Sequence, residues 1–336
     1  MTLILAIESS CDETACAVVK DGKEILSNIV SSQINVHTLY GGVVPEVASR
    51  IHVENISTVI TEALEKATVT MDDIDAIAYT KGPGLIGSLH VGVQAAKTLA
   101  WVYHKPLLPI NHMTGHIYAN AFVSELQFPL MALVVSGGHT ELVWMKNDWN
   151  FEVIGTTQDD AIGEAYDKVA RVLGLGYPGG PVVDKLAKNG KPHYSLPTPK
   201  TSDPYNFSFS GLKTAVLQLK EREERKGNVV SPEDLVYAFQ ETALTTMVSK
   251  TIAAVKEYKP KMIVLAGGVA ANSRLREMMK EEMSKVEDTE LLIPPMWCCT
   301  DNAAMIGASG QIAYNHKCFG DLDAAADPNM LMPGEK

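Results

Sequence analysis

His112-Met-Thr-Gly-His116 sets two imidazoles four residues apart, on one face if the segment is helical, which is the spacing of a metal-ligand pair. Nine histidines in one chain also generate coincidental pairs, so two packed or solvated rings are the plain alternative. A zincin places glutamate directly after the first histidine as the base for water attack. Here that position is Met113, and peptide hydrolysis by that route lacks its base. The third ligand must come from far along the chain, and Asp301, in Cys299-Thr300-Asp301-Asn302 at an expected helix start, is the candidate. Two imidazoles and one carboxylate leave positions open to a substrate, the arrangement of a Lewis-acid or non-haem iron site.

Three turns rich in small residues each follow an expected strand: Ser9 to Thr14, Ser136 to Thr140, and Gly267-Gly268. Glycine and serine let backbone N–H groups wrap phosphate oxygens, and a following helix adds its dipole. Each alone reads equally as a plain turn. Together, two hairpin turns and a strand-Gly-Gly-helix are what a nucleotide held between two lobes requires. Asp12, Glu13 and His139 in these turns are candidates for proton transfer or orientation, with turn capping or burial as the alternative for the two acids. Gly82-Pro-Gly84-Leu-Ile-Gly87 fits a dinucleotide fingerprint, yet no Asp or Glu occurs from Ala76 to Ser124 to bind a ribose. These glycines are therefore read as a tight turn with close helix packing.

The elements that must position these residues alternate strand and helix. Leu3 to Ile7 and Ala15 to Val19 flank the first turn, and Asp21-Gly22 leads into a third strand. Met131 to Val135 and Leu142 to Trp144 repeat the device, which suggests two halves of related design. Helices are expected over Glu46 to Ala67 behind Pro45, over Leu89 to Tyr103, and from Ser231-Pro-Glu-Asp234, a capping box, to Tyr258. Strands are expected at Ile74 to Tyr79 and Met262 to Ala266, and Asn272 or Ser273 caps a helix running toward Val286. The expected class is α/β with two domains: residues 1–115, joined by a C-terminal helix over 303–336, and residues 116–302.

Composition bounds what this machinery can serve. With 46% apolar and 21% charged residues over 336 positions, the chain is neither disordered nor collagen-like. No run of about 18 apolar residues exists, so no membrane span is expected. The start lacks a basic n-region, and Glu8, Asp12 and Glu13 interrupt any apolar stretch, so a cytoplasmic location is expected. Five cysteines, an odd number without a C-x-x-C pair, argue against a disulfide framework or thiolate zinc knuckle. A net charge of −11 argues against nonspecific coating of nucleic acid by the whole surface. One local stretch, Lys185 to Lys226, carries a net +5 and is read either as a nucleic-acid contact or as a solvated Lys/Glu helix.

Seven segments occur in an order that carries a resemblance. They are Ile7-Glu-Ser-Ser-Cys-Asp-Glu-Thr14, Gly82-Pro-Gly-Leu85, Asn111-His-Met-Thr-Gly-His116, Val135-Ser-Gly-Gly-His-Thr140, Phe207-Ser-Phe-Ser-Gly-Leu-Lys-Thr214, Ala266-Gly-Gly-Val-Ala-Ala-Asn272 and Cys299-Thr-Asp-Asn302. The chain resembles the bacterial tRNA N6-adenosine threonylcarbamoyltransferases, the TsaD family, over nearly its whole length. The resemblance implies two actin-like lobes of the ASKHA superfamily around a nucleotide cleft. It implies transfer of a threonylcarbamoyl group from threonylcarbamoyl-adenylate to N6 of the adenosine 3′ of the anticodon, in tRNAs reading codons that begin with A. It implies one divalent metal ion, iron(II) ahead of zinc, on His112, His116 and Asp301. It implies substrate contacts at Val135, Ser136, Gly137, Gly138, His139, Asp167, Gly180, Asp184 and Asn272, and the partners TsaB, a paralogue pairing with the first lobe, and TsaE, an ATPase. The acidic total fits a tRNA enzyme only if the local basic stretch or the partners supply much of the phosphate contact. The rival readings are a metalloprotease, opposed by Met113, a sugar kinase of the same superfamily, in which the paired histidines have no role, and a nonenzymatic actin-like assembly module.

Overall fold

The computed structural model of the chain describes residues 1–333. It forms two compact units: one of Met1–Leu126, Asp148–Phe151 and the residues from Pro294 onward, the other of Gln127–Asn147 and Glu152–Ile293. In the first, β1 (Leu3–Glu8), β2 (Glu13–Lys20) and β3 (Glu24–Ser32) form an antiparallel meander. A short α1 (Ile34–Thr38) and a long α2 (Pro45–Ala67) lead to β4 (Ala76–Gly82), and α3 (Ile86–Tyr103) leads to β5 (Leu107–Asn111). The sheet order is β3-β2-β1-β4-β5, with β4 parallel to both β1 and β5. Then α4 (His112–Tyr118) follows β5 without a break.

In the second unit, β6 (Leu130–Val135), β7 (Thr140–Met145) and β8 (Phe151–Thr156) repeat the meander. They are followed by α5 (Ile162–Val172), α6 (Gly179–Ala187), α7 (Ser210–Arg225), α8 (Pro232–Tyr258), β9 (Met262–Ala266), α9 (Ser273–Met283) and β10 (Glu290–Leu292). The order β10-β9-β6-β7-β8 is the first sheet's order read with equivalent strands, β6 standing for β1 and β9 for β4. The two halves therefore share one design, as the paired hairpins suggest. The last helix, α10 (Ala303–Asn315), belongs to the first unit.

The alternation of β1 explains how its sheet is covered. Leu3, Leu5 and Ile7 join Cys16 and Val18 under Ile56, Val59 and Ala63 of α2 and Val93 and Ala96 of α3. Ile4, Ala6, Ala15 and Ala17 face the other way, against Ala303, Ala304, Met305 and Ile306 of α10. Small side chains on that face let α10 lie close to the sheet.

Three expectations are corrected. The boundary at 115/116 would cut α4, whose seven residues are all buried and which packs on α10, so the first unit runs on to Leu126. That unit resumes at Pro294 rather than at 303, and Cys298 packs in its core with the residues of α10. The helix expected over 303–336 ends at Asn315, and Lys317 adopts a left-handed φ of 57° that no helix continues through. The last three positions of that expectation lie outside the described residues. The chain beyond α10 instead returns along the sheet: Gly320 N–H donates to Leu107 O and Asp327 N–H to Lys81 O. Among the described residues no helix is long and apolar enough to cross a membrane.

Candidate functional site

Two asparagines set the metal-ligand residues. Asn111 caps α4, its Oδ1 accepting from the N–H groups of Met113 (2.8 Å) and Thr114 (3.3 Å). His112 and His116 then share one face. Asn302 caps α10, its Oδ1 accepting from Met305 N–H at 3.1 Å, which fixes Asp301 just ahead of that helix. The helices approach closely because residue 115 is glycine: a Cβ there would lie 2.9 Å from Ile306 Cδ1. Thr114 Oγ1 and Ser309 Oγ, 2.9 Å apart, tie them together.

Asp301 Oδ1 comes within 3.1 Å of His116 Nε2 and 3.5 Å of His112 Nε2, and three donor atoms of this trio lie within 4.8 Å of one another. The imidazoles meet edge to face, centroids 4.7 Å apart. His116 is the diagnostic residue. It is buried, and neither ring nitrogen makes a hydrogen bond among the described residues. Its Nε2 approaches Asp301 without the alignment of a hydrogen bond, so two buried lone-pair or N–H sites await a partner that protein groups do not supply. The trio therefore fits a metal ion, and a His/His/carboxylate set suits a first-row transition metal.

The sequence reading missed Glu8. It ends β1 with 1% of its surface exposed, and its Oε2 lies 3.1 Å from His112 Nδ1. Its carboxylate also accepts from Ser10 N–H and Thr80 Oγ1. Ser10 Oγ lies 3.2 Å from the same His112 Nδ1. A carboxylate on the far nitrogen of a metal-binding imidazole fixes ring and tautomer, leaving Nε2 for the ion. Burial alone would push the Glu8 carboxyl up; His112 beside it holds it below the usual carboxylate range. Against its own burial, His112 is raised to about 9 by Glu8 and Asp301. Asp301, half-buried, is held low by His112 and His116 against the loss of water around it.

Asp12 and Glu13 lie in the same unit. Glu13 opens β2 and its Oε1 accepts from Ser32 Oγ at 3.1 Å; loss of water, then Asp301 and Asp12, push its carboxyl well up. His52, fully buried in α2, clamps the turn, with Nε2 3.0 Å from Cys11 O and Nδ1 2.7 Å from Thr14 Oγ1. The Gly82–Gly87 turn packs on this loop as read: a Cβ on Gly84 would fall 2.5 Å from Ser10 O.

The remaining residues lie in the second unit. Val135 ends β6, and Ser136 to His139 close the hairpin through Ser136 N–H to His139 O at 2.8 Å and His139 N–H to Ser136 Oγ at 3.0 Å. Asp167 of α5, its carboxyl raised by burial, accepts from Gly179 N–H at 2.7 Å beside Gly180. Asp184 of α6 accepts from Ser273 N–H (3.2 Å) and Oγ (3.0 Å). Asn272 caps α9 through Leu275 N–H at 2.9 Å. Asp184 and Asn272 are thereby brought together at the start of α9, and Asp167 and Gly180 at the start of α6.

The family model of the tRNA N6-adenosine threonylcarbamoyltransferases (TsaD) matches residues 24–308. The chain belongs to this family. It is 54% identical over 330 residues to the Bacillus cereus protein of that name, covering 98% of this chain and 96% of the relative. It is 55% identical over 328 residues to the Bacillus subtilis protein of the same name, covering 97% and 95%. Among solved structures, T. kodakarensis HypF superposes with a TM-score of 0.64 at 14% identity, over 94% of this chain and 48% of that one. That likeness carries the fold alone, and the α/β class of two actin-like lobes agrees with it.

Proposed function

We propose that this chain transfers the threonylcarbamoyl group of threonylcarbamoyl-adenylate to N6 of the adenosine 3′ of the anticodon in tRNAs reading codons that begin with A. The observation that carries the reading is the meeting of His112, His116 and Asp301, with both His116 nitrogens unbonded, in a chain of this family. The exocyclic amine of adenine is a weak nucleophile because its lone pair is delocalised into the ring. An acyl-phosphate anhydride supplies the missing activation. The new bond joins N6 to the carbamoyl carbon, the bond from that carbon to the phosphate oxygen breaks, AMP leaves, and the proton on N6 passes to a base. Asp12, Glu13 and His139 are the groups proposed to accept or orient that proton. His112, His116 and Asp301 would hold a divalent cation, iron(II) in first place and zinc in second, which would supply Lewis-acid chemistry at the site.

The rest of the donor is assigned to Val135 through His139 and to Asp167, Gly180, Asp184 and Asn272. An anticodon loop is single-stranded, so its bases can turn outward toward an active site. The basic stretch divides in the structure. Lys220, Arg222, Arg225 and Lys226 pair with Glu221, Glu223 and Glu224 along α7, and Lys191 lies against Asp234 through its backbone N–H, whereas Lys185, Lys188, Lys200 and Lys213 form no ion pair among the described residues. These four are the proposed phosphate contacts. TsaB and TsaE are the proposed partners, and an apolar cavity of about 550 Å³ between α2 and α3, lined by Val53, Ile60, Val91 and Leu99, supports a protein partner on the first unit. Met113, buried in α4, gives no base for a metalloprotease.

His112→Ala or Asp301→Ala is expected to remove bound metal and abolish transfer from threonylcarbamoyl-adenylate to transcript tRNA in the presence of the partner proteins. Full transfer by a metal-free double variant would reject the assignment.

A further inference from the structure

Asn272 holds its amide in one orientation, and the holding groups are side chains that none of the sequence motifs contains. Its Oδ1 accepts from Leu275 N–H at 2.9 Å, a backbone donor that cannot turn away, so the nitrogen faces the other side. There Nδ2 donates to Gln240 Oε1 at 2.9 Å and to Tyr166 Oη at 3.2 Å. Tyr166 Oη in turn donates to Gln240 Oε1 at 3.0 Å. The helix cap thus dictates which way Asn272 points, and Asn272 dictates which way Gln240 points. Gln240, Tyr166 and Asn272 are 4%, 1% and 8% exposed, so the triangle is dry and costly to break.

An asparagine amide carries two N–H donors and two acceptor lone pairs. Both donors are spent inside the triangle and one lone pair on the cap. We infer that Gln240, with Tyr166, is a positioning residue that leaves Asn272 only an acceptor to offer a ligand. The inference rests on the placement of Asn272 in the donor site proposed above. Its neighbour Ser273 gives both N–H and Oγ to Asp184, and Gly179 gives its N–H to Asp167, so those carboxylates are acceptors as well. A phosphate finds no donor on Asn272, Asp184 or Asp167. A ligand hydrogen does find an acceptor, whether it comes from a sugar hydroxyl or from an amino group on the base.

The test is calorimetric titration of the purified full chain with AMP, the leaving group of the proposed transfer, beside 2′-deoxy-AMP, 3′-deoxy-AMP and purine riboside monophosphate, each lacking one donor. Wild type is expected to discriminate against one of these analogues. Gln240→Leu, which frees an Asn272 N–H, is expected to weaken AMP about tenfold and to erase that discrimination. Gln240→Glu keeps the acceptor and is expected to stay within about threefold of wild type. Loss of discrimination is the reading that a merely loosened core would not give. Should the leucine variant fail to fold, Tyr166→Phe decides, since it frees one amide hydrogen and must reduce the discrimination. Wild-type affinity and discrimination in Gln240→Leu, together with weak binding by Asn272→Ala, overturn this inference and leave the donor site standing. Wild-type AMP affinity in Asn272→Ala removes the site assignment and this inference with it.

Discussion

Glu8→Gln is a change of one atom that should disable a residue it never replaces. Every partner of the Glu8 carboxylate is a donor: Ser10 N–H on Oε1, and Thr80 Oγ1 and the His112 Nδ1 edge on Oε2. Glutamine brings one oxygen and one NH2 to the same space. The Ser10 amide cannot rotate, so the oxygen goes to it and the NH2 faces Thr80 and His112. The Thr80 hydroxyl turns and accepts. His112 Nδ1 then faces an NH2 instead of a carboxylate, with Ser10 Oγ at 3.2 Å as its one other acceptor, and accepting from the amide moves its proton to Nε2, the nitrogen 3.5 Å from Asp301 and the one needed for a metal ion. The opposite placement of the amide leaves the Ser10 N–H against an NH2, a buried donor unpaired at about 1–3 kcal/mol. Either outcome weakens the ion without touching a ligand.

The expected loss is about 10- to 100-fold in metal affinity, or about 1.4–2.7 kcal/mol. Competition against a chromogenic chelator with zinc, and anaerobically with iron(II), measures it directly, and melting of the metal-free protein checks that the fold survives. Glu8→Gln that binds either ion within about threefold of wild type, while folded, refutes the tautomer argument.

Two further outcomes follow from groups away from the ligands. His52 must donate from Nε2 to Cys11 O, so its Nδ1 accepts from Thr14 and the ring is neutral; burial, as the largest cause, lowers its pKa below the ordinary 6.5. The unfolded chain then binds the extra proton first, so this contribution to stability is complete above about pH 6.5 and is lost as pH falls through the lower folded value. His52→Gln should cost about 1–3 kcal/mol at pH 7 and flatten the decline of urea midpoint between pH 6.5 and 5; an unaltered slope contradicts the clamp. Replacing Lys185, Lys188, Lys200 and Lys213 by Gln should weaken tRNA binding and reduce the slope of log K against log salt by roughly 0.7 for each phosphate no longer neutralised. The same replacement of Lys220, Arg222, Arg225 and Lys226 should change the slope far less, and equal effects from both sets would sink the division.

What the sequence made legible is what local pattern controls. The two hairpins announced equivalent sheets because strand alternation and tight turns are encoded within twenty residues, and β1/β2 and β6/β7 pair in register as those patterns require. Glu8 escaped because it reads as the first residue of a polar turn; only Thr80 and His112, 72 and 104 positions away, make it a buried carboxylate. Gln240 escaped for a related reason, since one glutamine on a 27-residue helix reads as solvated until Tyr166 and Asn272 arrive from elsewhere. Charge counting gave the basic stretch a single sign, but i,i+4 pairing neutralises α7 and leaves the lysines outside its second half.

The candidate metal-ligand residues themselves were legible through one local feature: each motif carries an asparagine cap. Asn111 precedes His112 and Asn302 follows Asp301, and a cap is the one place where a side chain dictates backbone direction from within its own sequence neighbourhood. A ligand next to a cap inherits that fixed direction, so two short motifs far apart in the chain can each deliver a donor atom with little freedom left to lose. The caps are also where distant chain enters. Asn111 Nδ2 donates to the carbonyls of Met330 and Leu331, both at 3.1 Å, so the segment beyond α10, which no motif singled out, closes over the cap of α4. The start of α4 is thereby held by its own asparagine and by chain from the far end of the sequence, and the direction of His112 is a property of both.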